Sequence, residues 1–113
     1  MAERNFKLKK EEVIRMPEWG GGCIATDRIT VDGARVGYMY REGANNNLDS
    51  GWRFFAGDED ETYLNDVTKR RVYRVDTIIN YDPGIVGYLD APEGSRLELN
   101  SDGCGYQLLG EDE

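Results

Sequence analysis

Four consecutive carboxylates, Asp58, Glu59, Asp60 and Glu61, follow closely on Trp52, Arg53, Phe54 and Phe55 in the stretch SGWRFFAGDEDE. Acids at this density raise metal binding first. A calcium loop of the EF-hand kind needs acids or amides at alternating positions, a central glycine and a distal glutamate. Asp58 and Asp60 alternate, but Thr62 follows and no glycine stands at the sixth position. A capped helix start accounts for the acids more simply. Asp58 serves as N-cap, Glu61 lies at the capping-box spacing, and acids in a first turn suit the positive end of the helix dipole. A glycosidase also uses two carboxylates, held roughly 5–10 Å apart. Neighbours on an exposed helical turn are not held in that way, and 22 acids make chance pairing inevitable.

Other chemistries lack parts. The chain has no histidine, which removes the commonest general base and the usual partner of a nucleophilic serine or cysteine. Acid–base catalysis is left to carboxylates, Tyr, Lys or Cys. The glycines at 20–22 run into Cys23 and Ile24 rather than the Gly-Lys-Ser/Thr of a phosphate loop, so they read as a flexible turn before a strand. Cys23, between Gly22 and Ile24, lacks the positive surroundings of a reactive thiol and reads as structural. Cys104, in DGCGY, reads as an oxidisable loop residue. Two cysteines without histidine make no standard structural zinc site. No enzyme activity, metal or cofactor is expected.

What remains is a surface. Trp and Arg are the residues most enriched at binding hot spots. Trp52, Arg53 and Arg41, beside Asp58, Glu59, Asp60 and Glu61, would form an amphipathic, charged patch suited to a protein partner, with Trp52 as apolar anchor. Core packing is the competing reading. It is preferred for Phe54 and for one of Tyr38 and Tyr40, and it stays open for Trp52.

These residues must be positioned by short elements. Residues 6–16 favour a helix by composition, ended by Pro17. Cys23 to Ala25 read as a buried strand. A turn at Asp32-Gly33 leads into a strand over 35–41, whose alternation groups Val36, Tyr38 and Tyr40 on the face assigned to the core. A loop rich in Gly and Asn precedes a strand over 51–56, the expected antiparallel neighbour of 35–41. The helix opening at Asp58 follows, anchored by Tyr63 and Leu64. A strand over 71–75 comes next, then a helix capped by Asp82 with Pro83 at its first position and Ile85, Val86 and Leu89 on its apolar face. Two strands, in RLELN and GYQLLG, lead to the acidic tail EDE. The whole is one α+β domain over 1–113, with a mostly antiparallel sheet of about four to six strands and two or three short helices.

The composition agrees. A chain of 113 residues, 39% hydrophobic and 32% charged, with seven Tyr, three Phe and two Trp, suits one domain that buries roughly two-thirds of its unfolded surface. The net charge of −8 disfavours nucleic acid and acidic membranes and favours cationic partners. Residues 1–16 contain no apolar signal-peptide core and nothing has the length of a membrane span, so a cytoplasmic location with reduced cysteines is expected. Oligomeric state is not fixed by the sequence.

Several motifs in order, YMYRE, DSGWRFFAGDEDETYLND and YRVDTIINYDPGIVGYLDAPEGSRLEL, resemble the immunity protein 33 family, a bacterial family also catalogued as a domain of unknown function. The resemblance covers residues 21–99 and leaves 1–16 and the tail after 100 outside. It implies a small α+β domain that protects its bacterium from a polymorphic toxin by binding it. Its pattern falls on Ser50, Gly51, Trp52, Arg53, Gly57 and Asp58, as partner contacts or as supports of the fold. The leading expectation is thus an immunity protein that neutralises a cationic toxin by occlusion. The alternatives are a housekeeping or regulatory domain in which the Trp motif is purely structural, and a small hydrolase using carboxylates or Cys23.

Overall fold

Apolar residues from six short strands converge on one side of a single sheet. The computed structural model describes residues 6–44 and 46–109; the acidic tail lies outside them. The strands are β1 (Gly22–Thr26), β2 (Tyr38–Arg41), β3 (Asp49–Phe55), β4 (Arg70–Arg74), β5 (Arg96–Leu99) and β6 (Tyr106–Leu108). Their order is β4-β1-β3-β2-β5-β6. The β1–β3 pair is parallel and the other pairs are antiparallel. The α+β architecture and the 35–41/51–56 pairing are as expected.

One face of the sheet is covered. Cys23, Ala25, Met39, Trp52, Phe54, Leu97 and Tyr106 point from it into a core closed by Ile29, Val36, Val75, Ile78, Ile79, Ile85 and Leu89. Those covering residues come from α1 (Asp27–Thr30), α3 (Val75–Tyr81), the 3-10 turn Pro83–Tyr88 and their flanks. Asp82 caps that turn through Gly84 N–H, as its place before Pro83 suggests, but the segment winds as 3-10 helix. Ile85 and Leu89 are buried there, and Val86 is exposed. Asp82 does more than cap. Its carboxylate also accepts from Val36 N–H at 3.0 Å and lies 3.0 Å from the Tyr106 hydroxyl, tying the turn to the start of β2 and to β6.

Three local expectations are corrected. Residues 6–16 form no α-helix, only a 3-10 turn at Lys10–Glu12, and Pro17 opens a second turn, Pro17–Trp19, instead of ending a helix. The segment is laid along α3, whose side chains take up its backbone groups. Asn80 both accepts from Ile14 N–H and donates to Ile14 C=O, Asp76 accepts from Met16 N–H, and the Tyr81 hydroxyl accepts from Leu8 N–H. The strand expected over 71–75 is β4, Arg70–Arg74, and Val75 already opens α3, a helix absent from the sequence reading. Val75, Ile78 and Ile79 lie at helical spacing on its buried face. Finally, Tyr38 and Tyr40 do not face the core. Met39 pairs with Phe54, while Tyr38 pairs with Phe55 and Tyr40 with Arg53. Val36 is buried but precedes the strand, and Gly37 stands between them where a Cβ would overlap the Ala56 carbonyl oxygen. Two-residue alternation therefore does not carry from Val36 into β2.

Asp76 binds the N-terminal segment through charge. Its side chain is 0% exposed and accepts from Arg15 and Arg74. Burial works against its ionised form, but Arg74, the Met16 amide and Arg15 together outweigh burial and hold the carboxyl below its usual value. The stabilisation is therefore fully present above the unfolded value of about pH 4 and is lost as pH falls through the lower folded value. Wild-type protein is expected to lose more stability between about pH 6 and about pH 3 than Asp76→Asn. Urea melts at the two pH values measure this, and equal losses would count against the role given to Asp76.

Candidate protein-binding face

The serine-glycine-tryptophan-arginine stretch builds a bulge. Between the pairs Gly22↔Asp49 and Ile24↔Arg53 the register shifts, so β3 carries extra residues opposite β1. The Ser50 hydroxyl donates to Gly22 C=O at 2.6 Å and accepts from Trp52 N–H. Gly51 takes φ +90°, with Glu42 C=O where a side chain would begin. Beyond the bulge, Trp52 turns into the core and Arg53 to the opposite face.

Trp52 is 1% exposed. Its ring stacks on Phe54 with centroids 6.0 Å apart, and its Nε1 donates to Leu89 C=O at 3.2 Å. The expectation of an apolar anchor at Trp52 is corrected, because the ring is enclosed between the sheet and the segment ending at Leu89. Arg41 lies on the same side, 5.8 Å from the Trp52 ring centroid, and donates to Ser50 C=O and Ala91 C=O. Arg53 lies across the sheet, its side chain 3% exposed, held by both oxygens of Asp49, by Glu42 and by Trp52 C=O. The structure therefore does not bring Trp52, Arg41 and Arg53 together on one surface.

The acid run is also divided. Asp58 does not cap a helix; it forms a two-point pair with Arg28, which holds its carboxyl below the usual range. Glu59 closes the turn after β3 by accepting from Ala56 N–H, Gly57 N–H and the Thr26 hydroxyl. Asp60 is the N-cap of α2 (Glu61–Asn65), accepting from Tyr63 N–H at 2.8 Å. The capping expectation thus holds for the run and moves from Asp58 to Asp60. Glu61 is exposed in the first turn of α2. Gly57, at φ +98°, makes the turn.

The sheet face opposite the core is covered only in part. Cross-strand neighbours place Val72, Ile24, Arg53, Tyr40 and Arg96 in one row and Phe55, Tyr38 and Glu98 in the next. Tyr40 and Phe55 stack at 5.8 Å with planes 15° apart, and Tyr38 lies 5.9 Å from each. Leu64 of α2 lines two hollows together with Tyr40 and Phe55. One, of about 390 Å³, is lined by Ile24, Tyr40, Phe55 and Tyr63 with Arg53, Lys69 and Arg70. The other, of about 630 Å³, is lined by Tyr38, Tyr40 and Phe55 with Asp58, Glu59 and Glu98. A third, of about 250 Å³, lies between Leu48, Ile24 and Val72 over Arg53. Leu48 is 80% exposed and Val72 74%. Burial pushes the Tyr40 hydroxyl up, and Glu42 adds to it.

Sequence reasoning missed this face. The signal was Phe54 beside Phe55, and Tyr38 alternating with Tyr40. A strand carrying large apolar groups on both faces has two faces to cover.

Cys23 is buried in β1, where burial pushes its thiol well above the usual value, with Arg53 offsetting only part of the effect. Cys104 is exposed, and neither forms a disulfide. Among the described residues no group of three His, Cys, Asp or Glu is placed to hold a metal ion, and no helix is long and apolar enough to cross a membrane.

The model of the Immunity protein Imm33 domain matches residues 23–108. The chain belongs to the Imm33 family. The matched span begins at β1 and runs through β6, so the segment after 100, placed outside the resemblance from sequence, lies largely within the Imm33 domain. Neither the curated proteins nor the solved structures give a match. Family membership implies a protein toxin as partner in general terms. Within the Imm33 domain, Ser50, Gly51, Trp52 and Arg53 form the β3 bulge and its buried contacts.

Proposed function

We propose that the protein is a non-catalytic, cytoplasmic immunity protein that neutralises a cognate toxin by binding it over the open sheet face. The observation that carries this reading is a half-covered sheet, in a member of an immunity family, with exposed Leu48 and Val72 on the same face as an aromatic cluster. Exposed apolar groups grouped around hollows and rimmed by charge are what a protein interface requires. The toxin is cationic in this reading, since a partner of net charge −8 steers a basic protein toward itself. Asp58 and Glu59 then contribute as rim charges of the aromatic hollow, and Glu61 as an outlying one. Arg53 contributes by holding the floor.

The test is co-expression with the toxin candidate encoded beside this gene, followed by titration of the purified pair. Wild-type protein is expected to protect cells and to bind more weakly as salt rises. Leu48→Glu and Val72→Glu, on the open face, are expected to weaken binding about tenfold or more. Val86→Glu, on the helical side, is expected to leave it unchanged. Equal binding by all three variants would remove the open face as the docking site. A housekeeping role is the second reading, favoured by the burial of Trp52; it predicts no protection by the wild-type protein.

A further inference from the structure

The two hollows lined by Leu64 differ in charge. Around the 390 Å³ hollow stand Arg53, Lys69 and Arg70 with Glu42 and Asp66. Around the 630 Å³ hollow stand Asp58, Glu59 and Glu98, and among the described residues no Lys or Arg lines it. Its floor is aromatic, with Tyr40 and Phe55 nearly parallel and Tyr38 tilted against both. A ring face is the negative end of its quadrupole and attracts a cation set over it. The carboxylates are not equivalent. Asp58 is shared with Arg28, and Glu59 is spent on two backbone amides and Thr26. Glu98 pairs across the strand with Tyr38, beside the floor, and is exposed.

We propose that this aromatic hollow seats an arginine or lysine side chain projected by the bound protein, with its alkyl stem along Leu64 and its charge between the rings and Glu98. This deepens the proposed function and rests on it for the identity of the partner. An amphipathic side chain fits both surfaces, since its stem covers apolar area while its head keeps a charged neighbour. Arginine is the better fit, because a planar guanidinium stacks on ring faces in addition to pairing with a carboxylate.

The experiment needs no toxin. Acetyl-Gly-Arg-Gly-amide is titrated into isotope-labelled full-length protein, with the isosteric citrulline and the glutamate tripeptides as controls, and the ring resonances of Tyr38, Tyr40 and Phe55 are followed by NMR. The arginine peptide is expected to shift these signals with an affinity about 5-fold above that of the citrulline peptide. Glu98→Gln, at an exposed position, is expected to abolish most of that preference, and Tyr40→Leu to weaken binding of the arginine peptide. Equal shifts from arginine and citrulline, or no ring shifts with any peptide, overturn the proposal. Failure here alongside intact toxin protection leaves the immunity reading standing with a different contact. Success here without toxin protection leaves the cation seat and removes the immunity reading.

Discussion

Trp52→Ala is expected to cost about 3–5 kcal/mol of folding stability, a large share of the roughly 5–15 kcal/mol that holds a domain together. The ring is enclosed, stacked on Phe54 and hydrogen-bonded to Leu89 C=O. Truncation leaves a cavity that a sheet pinned by the β3 bulge cannot close. It also deprives a carbonyl of its donor. Urea unfolding measures the loss, and a cost below about 1 kcal/mol would contradict the enclosed position. An optical readout is independent of the melt. In Trp19→Phe, which leaves Trp52 as the single tryptophan, emission is expected to resist acrylamide quenching. Strong quenching would return Trp52 to the surface and reopen its role as an anchor.

Arg53→Met is expected to be comparably costly, about 3–5 kcal/mol, for a different reason. The guanidinium holds both oxygens of Asp49 and one of Glu42. Removing it takes the counter-ion from Asp49, whose side chain is 11% exposed and which still accepts from Gly51 N–H, while half-exposed Glu42 can turn to water. The penalty is thus mainly that of a largely buried carboxylate that has lost its counter-ion. Adding Asp49→Asn to Arg53→Met should recover part of it, with a coupling above about 1 kcal/mol in a double-mutant cycle. Strict additivity would mean that the two side chains act separately. Arg53 also floors two hollows of the open face. A binding defect in its variants is therefore informative only for protein shown to be folded.

The outline of the fold was legible where a single local rule applied. The pairing of β2 with β3 followed from two successive strand-like stretches on either side of one polar loop, and the turn after Asp82 from its proline. The α3 helix was hidden because Val75, Ile78 and Ile79 are β-branched and continue directly from a strand, so propensity argued against the spacing. The segment 6–16 has helical composition, but backbone groups of Ile14 and Met16 are taken up by side chains of α3 some sixty residues away, which no local window contains. At the site, the sequence singled out Ser50 to Arg53, which form the β3 bulge and its buried contacts. Whether they served partner or fold depended on which way β3 faces, and the bulge at Gly51 sets that. The open face could be reached only by asking why Phe54 and Phe55 stand side by side.

The strand order leaves β4 at one rim of the sheet, with a row of backbone donors and acceptors turned outward. Three of its five residues are arginines, Arg70, Arg71 and Arg74. A second molecule offering the same rim would set its own arginines against these, so ribbon-like stacking of copies is opposed by like charge. A strongly acidic protein thus carries positive charge along the rim where its chains would otherwise zip together.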